Sequence, residues 1–429
     1  MGRFLVPATM VASAIAFAVA AAAAGAAAMR PVLWSAAVAL AMLGGIIPIV
    51  FAVNIRIVPV FTRRTWQSEP RLRAQVILAI GGGWAVFAGL AAGLSWLAVA
   101  GRVAVLAGAV LFAANIAVLL RQPVGRAPAP PLPFPEQEKV DRVATRFTSM
   151  AGAYLLVALV IALAAAVWRL PFGRWDLVTA HALLLGFFLS MASGVCYHVL
   201  PRWTTGRWRA VAPIRWHLWL VVAGLPLMLL ALATGWAPLF AIAGPVQALA
   251  VALFLGNIAP LLRGLPRPTG GAFIAAGVLL LVGVGFGAAF ALDPALGARL
   301  RVAHADLNLF GFAGLLVSGS AVYLGPRFAG RALRWPRLAD TQVVLLTAGV
   351  VLAAIGAAWR ALGSGPVWLP VAGQAIAAAS FTLLAVVLAG TFTAPGRGTV
   401  SAVPVVPRKR NGGSGPAAVR SAGAGSLGR

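Results

Sequence analysis

Long apolar segments separated by short polar connections cover most of this 429-residue chain. Most of them reach the length of about 20 residues that a helix needs to cross the hydrocarbon core of a bilayer. The pattern therefore predicts an all-α, polytopic membrane protein. We place its twelve transmembrane helices at about residues 5–28, 32–55, 75–99, 102–120, 149–168, 177–200, 216–235, 238–262, 271–292, 303–325, 341–362 and 367–391.

The polar connections suggest five regions. The predicted regions are a four-helix membrane unit at 1–121, a Pro-rich cytoplasmic linker at 122–148, a second unit at 149–264, a third at 265–393 and a disordered basic tail at 394–429. Prolines make the first half of the linker stiff and non-helical, while its second half, after Pro135, can form a short interfacial helix. The first apolar run is longer than the usual ~7–15 residues of a signal peptide, so we interpret it as a retained helix.

An internal repeat underlies the three units. At an offset of 142, the segment LFAANIAVLLR at 111–121 aligns with LFLGNIAPLLR at 253–263, with eight of eleven residues identical. This alignment makes Asn115 and Asn257 equivalent, and we expect both to form hydrogen bonds between helices. In the second helix of every unit a glycine also precedes a proline by fifteen residues. The sequence therefore predicts one four-helix module repeated three times.

The charge distribution argues for a lipid bilayer, and against nucleic acid, as the partner of this chain. The net charge is +26, but only 10% of the residues are charged, against about 25% in soluble proteins. Of the 34 Arg and Lys residues, 27 fall in the termini and alternate connections and 7 on the other side. The positive-inside rule then predicts an inner (plasma) membrane protein with both termini cytoplasmic. A single cysteine excludes an intrachain disulfide and a cysteine-ligated iron–sulfur cluster.

The histidines are the residues with the clearest chemical potential. His181 and His304 lie near the predicted outer ends of helices six and ten, where a neutral imidazole can bind haem iron or copper or relay protons. The other interpretation is an interfacial histidine bonded to a carbonyl. The two differ in register by two residues, or about 200° on an α-helix, and on ideal helices such a difference can turn one ring away from a shared site. His198 and His217 lie at the cytoplasmic side, where a polar, snorkelling role is the more probable one for His198.

Two polar residues follow His304 at short spacing. Asp306 can orient a histidine or pass protons, and Asn308 lies one helical turn after His304. The alternative for Asp306 is a position among the outer headgroups, where a carboxylate costs little.

The chain resembles subunit I of the heme-copper oxidases. Twelve helices in three arcs carry the resemblance, with histidines on the second helix of an arc. The pattern H-x-x-L-N-L-F-G-F at 304–312, followed by a glycine, a tyrosine and Pro-Arg up to residue 327, looks like the nitric-oxide-reductase-like branch. It is also similar to the NnrS family, and the segments at 50–64 and 181–207 add to that similarity. The resemblance implies a haem or copper cofactor held by His181 and His304, a role in the nitric oxide response, and a respiratory or redox partner.

The ligand count departs from that family. The oxidases use six histidines for two haems and one copper, whereas this chain has four, with none on the second helix. A complete oxygen- or NO-reducing centre is therefore not expected from this chain alone. Two hypotheses remain: a haem- or copper-binding sensor or stress protein, and a cofactor-free transporter, channel or assembly subunit that kept the fold.

Overall fold

The structure, a computed structural model, describes residues 4–126, 128–168, 174–204 and 206–394. These residues contain helices and no strand. Twelve of their helices are long and apolar enough to cross a membrane, so the predicted all-α class and number of spans are confirmed. In chain order they are α1 (Leu5–Ala26), α2 (Val32–Thr62), α3 (Glu69–Ala92), α4 (Ser95–Leu120), α5 (Gln137–Val167), α6 (Arg174–Trp203), α7 (Ala212–Thr234), α8 (Ala237–Leu262), α9 (Arg267–Leu292), α10 (Pro294–Ala329), α11 (Pro336–Ala361) and α12 (Trp368–Thr393).

Three helices form the interior of the bundle. In their most apolar stretches, 83% of the residues of α2, 72% of α6 and 94% of α10 are buried, against at most 50% in any other helix. Around them, α4 packs on α5, α8 packs on α9, and α12 returns to α1, so the outer helices form a closed ring. The outer helices expose apolar side chains because lipid, rather than water, surrounds them.

Small residues allow neighbouring outer helices to pack closely. A Cβ atom on Gly82 of α3 would lie 2.7 Å from the carbonyl oxygen of Gly101 of α4, and one on Gly373 of α12 would lie 2.6 Å from that of Gly349 of α11. Only glycine fits at these two positions, because even the Cβ atom of alanine would overlap the neighbouring backbone. Close backbone approach of this kind stabilises helix pairs in membranes, where no hydrophobic effect drives their association.

Each inner helix contains a π-helical segment. These segments are Leu40–Ile46 in α2, Ala182–Leu189 in α6 and Asp306–Ala313 in α10. Each contains the glycine of its sequence copy, and the first two lie at the predicted offset of 142 residues. π-Helical turns are rare and occur frequently at functional sites. Their shared position supports the threefold repeat, which stays a prediction.

The linker differs from the predicted one. The segment after Pro135 is helical, as the sequence suggested, but it is not a separate short helix: α5 begins at Gln137 and continues to Val167. The physical reason is that its first turns are held against α6: the Gln137 amide donates to the Tyr197 carbonyl over 3.0 Å. Of the predicted disordered tail, residues 395–429 lie outside the described residues.

Candidate functional site

His181 and His304, in the first third of α6 and of α10, lie next to each other. The ring centroids of His181 and His304 are 6.2 Å apart, and their planes differ by 20°. The two ring planes are therefore nearly parallel. The Phe290 ring of α9 borders His304, with 5.4 Å between centroids.

Both imidazoles are held through the same ring nitrogen. His181 Nδ1 lies 2.8 Å from the carbonyl oxygen of Leu177, one turn earlier in its own helix. His304 Nδ1 lies 2.9 Å from the carbonyl oxygen of Gly283 on α9. Because a carbonyl only accepts, Nδ1 carries the proton in both rings, and in a neutral imidazole this leaves the lone pair on Nε2. That tautomer is the one in which a histidine binds a metal through Nε2.

The two polar residues after His304 have different partners, and their predicted roles beside the histidine stay predictions. Asn308 donates from Nδ2 to the His304 carbonyl over 2.7 Å and lies 3.4 Å from His304 Nδ1. Asp306 is 1% exposed, which excludes the headgroup position, and Oδ1 accepts from Gln374 Nε2 over 2.6 Å. The Asp306 carboxyl therefore bonds to α12 rather than to a histidine. Sequence reasoning missed Gln374, although an amide inside an otherwise apolar span is a signal for such a partner.

The two-residue difference in register does not separate the histidines. The angular prediction assumed ideal α-helices of about 100° per residue. In the structure, π-helical segments begin directly after His181 and two residues after His304. A π-turn contains more residues than an α-turn, so the angles calculated for an ideal helix do not apply here. The register difference therefore does not separate the two rings, whose centroids are 6.2 Å apart, and the shared site stays a prediction.

The other two histidines belong to a polar network at the opposite end of α6. His217 of α7 is 1% exposed, and its Nδ1 lies 2.8 Å from the Tyr197 hydroxyl oxygen. His198 Nδ1 lies 3.0 Å from Asp141 Oδ1 of α5. Instead of the predicted snorkelling, His198 contacts Asp141, because α5 extends far enough to bring Asp141 to it. Neither ring is available to the pair formed by His181 and His304.

Asn115 and Asn257, the equivalent asparagines of the predicted repeat, each donate a hydrogen bond to a neighbouring helix. Asn115 Nδ2 donates to Gln75 Oε1 of α3 over 2.7 Å, and Asn257 Nδ2 donates to the Tyr197 hydroxyl of α6 over 3.1 Å. The partner helices differ in kind, because α3 is an outer helix and α6 an inner one. Asn257 also extends the network of His217.

The site offers two nitrogen donors and no more. Within the described residues, no group of three or more His, Cys, Asp or Glu side chains is close enough to hold a metal ion. With their ring centroids 6.2 Å apart, His181 and His304 are close enough that both would hold a single ion.

Comparison with known proteins shows which fold this chain has, and no more. No family model matches this chain, and no curated protein matches it. The chain is similar to the cryo-EM structure of a heme-copper terminal oxidase dimer, with a TM-score of 0.69 and 14% sequence identity. The match covers 95% of this chain and 87% of that chain. At this identity the likeness concerns the fold alone. The chain is a multi-pass membrane protein with a fold like that of heme-copper oxidase subunit I.

Proposed function

We propose that this protein binds one haem iron or one copper ion between His181 and His304. In this proposal it acts in a redox or nitric oxide response in the inner (plasma) membrane, together with a respiratory or redox partner, and is not a complete terminal oxidase. The observation that carries the proposal is the pair of imidazoles, 6.2 Å apart, whose Nδ1 atoms both contact carbonyl oxygens.

The surroundings of His304 support its role as the firmer ligand. Its ring is fixed by a carbonyl on another helix, that of Gly283, whereas His181 is fixed only by Leu177 of its own helix. A Cβ atom added to Gly283 would overlap the Asn308 amide. Gly283, Asn308 and His304 therefore pack as one unit. A ligand whose ring is held in this way loses less conformational entropy on binding.

The chemistry of the donor set fits the proposed group. Imidazole nitrogen binds both haem iron and copper, and a bound ion of either kind supplies one-electron chemistry or a binding position for a small diatomic molecule. In this chain, His304 and His181 would hold the ion, and the Leu177 and Gly283 carbonyls would keep the two Nε2 atoms unprotonated. Asp306 and Gln374 form a buried polar contact beside the site and hold α10 to α12.

The number of histidines supports the exclusion of oxidase activity. The chain has four histidines, and His198 and His217 form contacts with Asp141 and Tyr197 at the other end of α6. Two imidazoles remain for a cofactor. The role in the nitric oxide response rests on the resemblance of residues 304–327 to the nitric-oxide-reductase-like and NnrS proteins.

The test is the cofactor content of the purified full-length protein. The protein is expressed with haem and copper supplied, and its absorption spectrum and metal content are measured. We expect about one haem or copper per chain, lost in His304→Ala and reduced in His181→Ala. The control is His217→Asn, which keeps a polar nitrogen near the Tyr197 hydroxyl and should retain the cofactor. A folded wild-type protein without haem or metal would contradict the proposal and favour a cofactor-free transporter, channel or assembly subunit.

A further inference from the structure

A cavity lies between the three inner helices at the end opposite to His181 and His304. Its first part, which we call the basic chamber, has a volume of about 170 Å³. It is lined by Arg56, Ile57, Val60, Phe61, Val199, Arg202, Trp203, Leu324 and Phe328. Val60 at its edge is 38% exposed, so this chamber opens at the end of the bundle.

A second, apolar chamber of about 80 Å³ lies deeper along the bundle axis. Its lining includes Val50, Phe188, Val195, Phe273 and Leu316. The two chambers share Val199, Trp203 and Leu324, so these three side chains form the boundary between them. The cavity is therefore charged at its mouth and apolar inside.

The positive charge of the basic chamber is only partly neutralised. Arg202 contacts Asp141 through both of its terminal nitrogens, at 3.1 and 2.7 Å. Arg56 has no hydrogen bond or ion pair with any residue that the structure describes, and its Nε is buried. Nε of Arg202, a side chain that is 6% exposed, also lacks a partner. Buried guanidinium N–H groups without acceptors are costly, so these groups indicate an acceptor that binds from outside the chain.

We infer that this cavity binds a single-chain amphiphile whose carboxylate or phosphate head contacts Arg56 and whose hydrocarbon chain passes Val199, Trp203 and Leu324 into the apolar chamber. Guanidinium groups bind carboxylate and phosphate oxygens strongly, which accounts for the head group. The apolar lining accounts for the tail, since each buried CH₂ adds about 0.8 kcal/mol. A small polar anion would leave the apolar chamber unused, and an uncharged lipid would leave Arg56 unpaired.

Binding is measured by tryptophan quenching with 10-bromodecanoate added to the full-length protein in maltoside detergent. Trp203 lines both chambers, so the signal is the difference between wild type and Trp203→Phe. Four further ligands, decanoate, decyl phosphate, decanol and inorganic phosphate, are tested as competitors of the brominated acid. We expect decanoate or decyl phosphate to compete, and the stronger of the two identifies the preferred head group. Competition by decanol or inorganic phosphate as strong as that by decanoate would overturn the inference.

Variants separate the head-group contact from the tail contact. Arg56→Gln should weaken binding about tenfold or more, because a hydrogen bond to a charged group contributes ~1.5–3 kcal/mol. Arg56→Lys should retain most of the affinity. The matched control is Arg63→Gln, which removes an equal charge from the same end of the bundle but does not line the cavity.

The contact with the hydrocarbon chain is tested by placing a larger side chain at the boundary between the two chambers. Val199→Phe or, if that variant does not fold, Leu324→Phe should abolish quenching while the charge of the mouth is unchanged. Affinity that is unaffected by Arg56→Gln, or by both filling variants, would contradict the inference. Neither result depends on a cofactor at His181 and His304.

Discussion

The carboxylate of Asp141 is expected to be the most important single charge for the stability of the α5–α6 contact. It accepts hydrogen bonds from Arg202 over 2.7 and 3.1 Å and from the Gln137 amide over 2.7 Å, and it contacts His198 Nδ1 over 3.0 Å. The Arg202 side chain is only 6% exposed. Replacement of Asp141 by Asn therefore leaves a buried guanidinium without a counter-charge.

The cost can be estimated from the burial of the two partners. Removing one member of a buried ion pair destabilises a protein by about 3–5 kcal/mol. The Asp141 side chain is 21% exposed, so the ion pair is not fully buried. We therefore expect a loss at the lower end of that range, about 3 kcal/mol. The same helix provides a control: Glu138 and Arg142 form an exposed pair, with 67% and 63% of their side chains accessible. Glu138→Gln should cost only about 0.3–0.5 kcal/mol.

The measurement is unfolding of the detergent-solubilised protein by sodium dodecyl sulfate, followed by tryptophan fluorescence and circular dichroism. Asp141→Asn should shift the midpoint clearly, and Glu138→Gln should hardly change it. The double variant Asp141→Asn/Arg202→Met should recover part of the loss, because the unpaired charge is then absent. Equal midpoints for Asp141→Asn and Glu138→Gln would refute the reasoning.

Three further predictions follow from the packing, the topology and the ligand count. Gly373→Ala should destabilise the α11–α12 pair, whereas Gly256→Ala, where an added Cβ has no neighbour within 4 Å, should be neutral or stabilise by up to about 1 kcal/mol, as measured by the same unfolding assay. Reporter fusions at Pro130 and after Thr393 should be cytoplasmic and one at Ser364 external; an external result at Pro130 would contradict the assigned orientation. Oxygen uptake with a reduced quinol or cytochrome should be absent for the purified chain, and sustained uptake would contradict the histidine count.

Hydropathy predicted the fold because the bilayer restricts it. Backbone groups have no water to bond in the hydrocarbon core, so long apolar runs must be helical. The number of spans was therefore correct, and the inner positions of α2, α6 and α10 agree with the subunit I resemblance. The start of α5 was less predictable, because Gln137 and Asp141 are polar and continue the helix through contacts with α6.

The sequence predicted part of the site but not its geometry. Two histidines near the same membrane face were evident, yet their distance depended on π-helical segments that have no signature in apolar periodicity. The partner of Asp306 was likewise hidden, because Gln374 is 68 residues away in sequence. The basic chamber combines residues of three helices, and nothing in their local sequence distinguishes the unpaired Arg56 from the paired Arg202.

The central claim is that one ion lies between two imidazoles from α6 and α10. X-ray absorption at the iron or copper edge of the purified, loaded protein tests it most directly by counting the nitrogen ligands. The account predicts imidazole nitrogens of His181 and His304 at about 2.0 Å, one fewer in His181→Ala, and no bound ion in His304→Ala. An unchanged imidazole count in His181→Ala, or a bound ion that persists in His304→Ala, would contradict it.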